Sequence, residues 1–218
     1  MQYKHIEKLN TLCKSFIGEK ITLNCTFKNR TIPIHNSNLV GDLLEDVFYP
    51  FYKETCSDFE EGPPQDSPDF FAEEKTFHFE QKAFHGSPGF DISNFTSFLH
   101  QISQPGGLEK KIFRTKYLVY EYGMDEKCFI IKNFWLLNIW QLPLYDKTHP
   151  ISMQIKKKMW YNMRPGAKSS WQDEQKTPQK FLDKLLECLE KCHHVEDKEA
   201  LKSSIVTQMQ EAKSQGLL

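Results

Sequence analysis

Two long runs of β-branched and aromatic residues dominate the middle of the chain, KIFRTKYLVYEYG at 111–123 and KCFIIKNFWLLNIWQL at 127–142. Such residues pack well on a pleated, half-buried surface, and the short polar Gly123-Met124-Asp125-Glu126 stretch around their junction reads as a turn. The pair therefore predicts a hairpin in a core sheet, and the remaining segments must supply its neighbours.

Upstream, Ile6, Leu9, Leu12, Cys13 and Phe16 recur at helical spacing, so residues 2–17 predict a first helix stopped by Gly18. EKITLNCTFKNRTIPI (19–34) alternates Ile21, Leu23, Cys25 and Phe27 on one side and predicts a half-buried strand. In NSNLVGDLLEDVFYPFYKE (36–54) a stripe of Leu39, Leu43, Leu44, Val47 and Phe48 predicts a second helix. Asn36 or Ser37 is available as N-cap, and Pro50 limits or kinks the end. CSDFEEGPPQD (56–66) is acidic and rich in Pro and Gly, the composition of a surface loop. Phe77–Phe84 alternates as a strand; GSPGFDISNF (86–95) carries turn signals and then a helix from near Asp91 or Ser93, ended by QPGG at 104–107. Beyond Pro150 the chain turns basic, and a last helical stretch runs from about Thr177 to the C-terminus. No internal repeat is visible.

At 218 residues the expectation is a single domain, residues 1–218, with a core over about 20–170 and a C-terminal helical segment over about 177–218. With 28 Lys and Arg against 29 Asp and Glu the formal net charge is −1, so no bulk field attracts nucleic acid and any such binding must come from local patches. No run of eighteen apolar residues occurs and the first twenty residues are charged throughout, which argues against a spanning helix and a signal peptide. A cytoplasmic location follows as an expectation. The six cysteines lack regular spacing and read as packing thiols. Cys188, Cys192, His193 and His194 could share a zinc ion, but no second ligand pair has finger spacing and LLECLEKC reads as an amphipathic helix.

The segment FHFEQKAFH (77–85) buries charge among phenylalanines. In a strand Glu80 and Lys82 point the same way, and Asp69 of the preceding Pro68-Asp69 pair approaches them if residues 69–73 form the neighbouring strand. Two carboxylates and a strand carbonyl make an all-oxygen site suited to Mg²⁺, and a partly desolvated lysine beside it could have its pKa lowered and orient or help deprotonate a water. The bland reading is an exposed hairpin face carrying an ordinary Glu-Lys pair. A second acid-x-Lys triplet, Glu73-Glu74-Lys75, also fits but is discounted, because it lies only four residues after Asp69 in a turn-like context.

NLVGDLLEDVF (38–48), PDFF (68–71), FEQKAF (79–84), SPGFDISNF (87–95), KIFRTKYLVYEYG (111–123), FWLLNIWQLP (134–143) and WYNMRPG (160–166), in this order, resemble the PD-(D/E)xK nuclease superfamily, and within it type II restriction endonucleases of the NgoBV/NlaIV kind. The resemblance implies an α/β (α+β) fold with a restriction-endonuclease-like core, a mixed central sheet flanked by helices. It implies Mg²⁺ held by Asp69 and Glu80, with Lys82 positioning the attacking water. Glu45 on the preceding helix is the acid expected to complete the metal site, with Asp46 and Asp42 behind it; a solvated helix edge is the competing reading. The implied activity is Mg²⁺-dependent cleavage of double-stranded DNA at a short palindrome, of the GGNNCC pattern. A homodimer matches a two-fold site, and a cognate DNA methyltransferase protects that site in the cell. The rival readings are a less specific nuclease of repair or mobile-element type, and a non-catalytic DNA-binding module.

Lys156, Lys157, Lys158, Arg164 and Lys168 cluster with Trp160, Tyr161 and Trp171, as in a segment that contacts phosphates. The alternative is a solubilising loop. Lys110, Lys111, Arg114 and Lys116 form a second basic group, and either Arg114 or Arg164 has the fork to read guanine.

Overall fold

The computed structural model describes residues 3–33, 40–63, 67–125, 128–145 and 149–218. In chain order its elements are α1 (Ile6–Ser15), β1 (Lys20–Ile21), β2 (Asn24–Phe27), β3 (Arg30–Pro33), α2 (Val40–Thr55), β4 (Glu60–Glu61), β5 (Phe70–Ala72), β6 (Phe77–His85), β7 (Ser93–Asn94) and α3 (Phe95–Ser103). There follow β8 (Thr115–Met124), β9 (Phe129–Leu137), β10 (Met153–Lys156), β11 (Met159–Met163), α4 (Pro178–Lys191) and α5 (Lys198–Ser214). The fold is α+β, as expected. The chain divides into two compact units, one of Gln2–Ser87 with Lys116–Leu136, the other of Pro88–Thr115 with Leu137–Leu218.

The first unit is built on a six-stranded sheet in the order β1-β9-β8-β6-β5-β4. The aromatic runs β8 and β9 are neighbours within it, and β6 lies beside β8 across a crossover. On one face Leu9 and Cys13 of α1 and Leu44, Phe48 and Tyr52 of α2 pack with Phe70, Phe77, Phe79, Leu118, Tyr120 and Ile131 from the strands. Phe16 and Phe48 stack with ring centroids 4.6 Å apart. Rings of this size dominate the energetics of such a core, because each removes a large apolar area from water.

In the second unit β10-β11-β7 form a small antiparallel sheet. Asn94 caps α3 by accepting from the Ser97 amide at 3.0 Å, somewhat later than the expected start. Thr177 caps α4 by accepting from the Lys180 amide at 3.2 Å, with Pro178 in the first turn. The leucine stripe of α4 is covered within its own unit, where Phe181 meets Phe98 edge to face. Gln208 of α5 donates to the Ile102 carbonyl at 2.8 Å and accepts from the Leu108 amide at 3.2 Å, which ties α5 to α3.

Several sequence expectations change in the structure. The strand expected over 19–34 is instead the edge strand β1, paired to β9, and a separate hairpin β2–β3. Lys28 and Asn29 both take positive φ there, 45° and 62°, and turn the chain without glycine. Helix α2 runs through Pro50 to Thr55. Asp46, whose carbonyl loses its donor to the proline, lies on the exposed side of the helix, and buried Tyr52 and Cys56 anchor the last turn. The proposed caps Asn36 and Ser37, and Glu126 of the junction turn, lie outside the described residues. The 56–66 loop contains the edge strand β4, paired to β5. Residues Glu109–Phe113 form a π-helical turn, so the first aromatic run becomes a strand only at Thr115. The C-terminal stretch breaks into two helices, with Asp197 at φ 52° before α5.

Candidate active site

The hairpin β5–β6 sets Phe70 opposite Phe79, Phe71 opposite His78 and Ala72 opposite Phe77. Alternation then places Phe77 and Phe79 on the core face, and Glu80 and Lys82 on a shared face flanking Gln81. The turn between the strands takes Glu73, Glu74 and Lys75 through positive φ values of 50°, 53° and 67°. The Glu73-Glu74-Lys75 triplet is therefore the turn itself, and Lys75 lies over the Phe71 ring at 5.4 Å.

Asp69 precedes β5, one residue past the last paired position. Its Oδ2 accepts from the Gln81 amide at 2.5 Å, taking a donor that a longer strand would have bonded with its carbonyl. The segment is fixed from behind by Gly62, whose amide donates to the Asp69 carbonyl at 2.7 Å. A Cβ on Gly62 would stand 1.7 Å from the Pro68 carbonyl oxygen, so only glycine lets the two backbones approach this closely.

Lys82 Nζ lies 3.6 Å from Glu80 Oε2 and 3.8 Å from Asp69 Oδ2. Glu80 is 7% exposed, and Ser67 Oγ donates to its other oxygen. Burial disfavours the charge on Lys82, yet the Asp69, Glu80 and Glu45 carboxylates together raise its pKa above the usual lysine value. This corrects the expected lowering: as the side chains stand, Lys82 is a firmly protonated counterion and not a base. Glu45 on α2 is half-buried and its charge reaches Lys82, whereas Asp46 is exposed and the Asp42 side chain lies outside the described residues. Among the described residues no three His, Cys, Asp or Glu side chains stand in a metal-holding cluster. The two carboxylates are held together by the lysine.

Three groups at this site carried no signal in the sequence. Ser67 and the Gln81 amide are placed only by the hairpin register. Tyr117 of β8 is 4% exposed; burial, then Glu80 and Asp69, push its phenol pKa well above the ordinary value, so it stays a neutral phenol beside the acids.

In the other unit, β10–β11 is a hairpin whose tip is Lys157-Lys158, at φ 50° and 66°. Residues 155–159 are all exposed, and Lys156 Nζ sits 4.3 Å from the centre of the Tyr161 ring. Trp160 packs against Phe95 and His149. Trp171, expected among the contacting aromatics, is fully buried near Phe90 and belongs to the core. Lys168 is exposed at the start of a short 3₁₀ turn. Arg164 is engaged: its Nε is 3.0 Å from Asp91 Oδ1, and its Nη1 donates to the Gly89 carbonyl. Arg114 likewise bonds Glu109 Oε1 through Nε at 2.9 Å and Nη2 at 2.5 Å. Cys188 and Cys192 are buried, and burial pushes the Cys188 thiol up to about 12, as for a thiol packed in a core.

Residues 4–214 match the family model described as NgoBV restriction endonuclease. The type II restriction enzyme NlaIV of Neisseria lactamica is 28% identical over 143 residues, 62% of this chain. That alignment spans only 57% of the relative's length. The solved structure of NlaIV restriction endonuclease superposes with a TM-score of 0.80 at 20% identity, covering 98% of this chain and 91% of that one. The latter likeness shows a common fold.

Proposed function

The chain belongs to the NgoBV restriction endonuclease family, and from that premise we propose that it is a type II site-specific deoxyribonuclease acting on double-stranded DNA through Asp69, Glu80 and Lys82. The observation that carries the reading is the convergence of two carboxylates and a lysine within 4.0 Å on one hairpin of a chain from this family. An ordinary surface ion pair would leave Glu80 in water; here it is buried and bonded by Ser67.

The donor set fits a hard divalent cation, for which we propose Mg²⁺. Asp69 and Glu80 offer carboxylate oxygens, and Glu45 is the acid from α2 whose charge already reaches the same lysine. When bound, the ion supplies stabilisation of developing negative charge and a water of lowered pKa. Lys82 then gives up part of its role as counterion and donates a hydrogen bond that orients the attacking water. Ser67 keeps Glu80 aimed, and the Gln81 amide keeps Asp69 aimed.

We further propose that Lys156, Lys157, Lys158 and Lys168 contact phosphates, because all four are exposed and the first three stand at the tip of one hairpin, where ammonium groups can reach a backbone lattice. Arg114 and Arg164 are the guanine-reading candidates, and each must first exchange the carboxylate that holds it. The whole chain serves as one endonuclease domain, pairs with a second copy to cut both strands of a GGNNCC-type palindrome, works in the cytoplasm, and is matched by a methyltransferase. No described helix is long and apolar enough to cross a membrane. Incubating the purified protein with plasmid and Mg²⁺ should give discrete bands whose sequenced ends share one palindrome, and EDTA should abolish them. A smear would indicate a nuclease without tight specificity; EDTA-resistant DNA retention with no cutting would indicate a binding module.

A further inference from the structure

Glu80 and Lys82 use one face of β6, and the opposite face carries a buried polar chain that no catalytic step requires. Gln81 is 2% exposed, set among the aromatic residues beneath α1 and α2. Its Oε1 accepts from the Tyr52 hydroxyl at 2.7 Å, and the Tyr52 oxygen lies 2.9 Å from the Tyr120 hydroxyl. A phenol has one proton. Since Tyr52 donates its own to Gln81, Tyr120 must be the donor of the second bond, and the chain runs Tyr120 to Tyr52 to Gln81. Both tyrosines are fully buried, and burial holds both phenols protonated, so the direction persists over any working pH. The Cys13 thiol adjoins both hydroxyls from α1.

A glutamine is an unfavourable choice at such a position. Burying an amide costs free energy unless every polar atom is bonded, and Gln81 Nε2 is buried with no hydrogen-bond partner among the described residues. Leucine or methionine would fill the same space without that loss. What the glutamine adds is a fixed side chain on a residue whose backbone amide holds Asp69, at 2.5 Å. Residue 81 also lies between Glu80 and Lys82, so its peptide planes set the directions of both.

We infer that Gln81, held through Tyr52 and Tyr120, is a positioning residue that sets the Asp69 carboxylate against Glu80 and Lys82 from the far side of the strand. Its consequence for catalysis rests on the nuclease reading; the placement of Asp69 does not. Tyr52→Phe and Tyr120→Phe each remove a single hydroxyl and keep the ring in the core. Two measurements on the full chain separate positioning from packing: the amide resonance of residue 81, and the kcat, KM for DNA and half-saturating Mg²⁺ concentration of plasmid cleavage.

In Tyr52→Phe the residue 81 amide should move upfield as its bond to Asp69 loosens. The kcat should fall about 10–100-fold, the usual loss when an outer support of a metal ligand is removed. The half-saturating Mg²⁺ concentration should rise severalfold while the KM for DNA holds. Tyr120→Phe, one link farther out, should shift the same quantities less, and it decides the matter if Tyr52→Phe does not fold. Wild-type amide position and Mg²⁺ requirement in a folded variant, with only a lower melting temperature, would overturn the inference. An amide that moves in the variant of a chain whose wild type cuts no DNA would keep the inference and sink the nuclease reading.

Discussion

The hairpins β5–β6 and β10–β11 both carry lysines, but they hold them in opposite ways. In β5–β6, Lys82 is largely buried between two carboxylates and its neighbours are bonded by Ser67 and a backbone amide. In β10–β11, Lys157 and Lys158 occupy an exposed turn with no acid beside them in the sequence. A charge that must act on one reacting atom has to be preorganised, since a misplacement of about 1 Å can cost about 100-fold in rate. A charge that neutralises a phosphate lattice acts through counterion release and gains little from a fixed position. On the proposed reading the two hairpins separate chemistry from electrostatic attachment, and each can be broken without the other.

The largest effect should come from the first hairpin. Asp69→Ala, Glu80→Ala or Lys82→Ala should lower the cleavage rate by about 10²–10³-fold, the scale set by losing one preorganised electrostatic contact, while DNA binding measured in Ca²⁺ persists. Lys75→Ala, in the turn, should cut at close to the wild-type rate. If Lys75→Ala were inactive and Lys82→Ala active, the site would have to be moved to the turn. Next in size is Gly62→Ala, which drives a Cβ into the Pro68 carbonyl. It should cost about 1–3 kcal/mol in urea unfolding, as overpacking does, and reduce cleavage with it. Alanine at Lys157 should leave stability within about 0.5 kcal/mol, because that side chain is exposed on a turn.

The smallest and most uniform effect belongs to the second hairpin. Alanine at Lys156, Lys157 or Lys158 should weaken binding to cognate and scrambled duplexes alike and reduce the salt slope by about one for each phosphate no longer neutralised. Arg164→Ala sharpens the contrast. A guanine reader would lose about 1–3 kcal/mol on the cognate duplex alone, whereas a residue confined to its bond with Asp91 would lose equally on both. Fluorescence anisotropy in Ca²⁺ measures each.

Much of this organisation was legible before any coordinates. Period-two alternation alone places Glu80 and Lys82 on one face and Gln81 on the other, because successive side chains in a strand must alternate. The aromatic runs pointed to the neighbouring strands β8 and β9, although residues 111–113 of the first run went into a π-helical turn, and the spacing in α1, α2 and α4 gave their apolar stripes. Local pattern failed where backbone conformation was decided by distant packing. Lys28-Asn29 turns the β2–β3 hairpin without a glycine signal, and Pro50 sits inside α2 because its neighbours on the other face are anchored. Nothing in the spacing of Gly62 announces that it lies against Pro68, and nothing in Tyr52, Tyr120 or Gln81 announces a shared bond. Of the two acid-x-Lys triplets, sequence favoured Glu80-Gln81-Lys82 for Asp69 only through the turn-like context of Glu73-Glu74-Lys75, since both have suitable residue types. The register of β5 against β6 decided it, because pairing Phe70 with Phe79 makes residues 73–75 the turn and brings residue 81 to Asp69. Residue type and alternation act within a few positions and can be read from a string; register, close approach and the raised pKa of Lys82 arise from groups far apart in sequence, and only the folded chain brings them together.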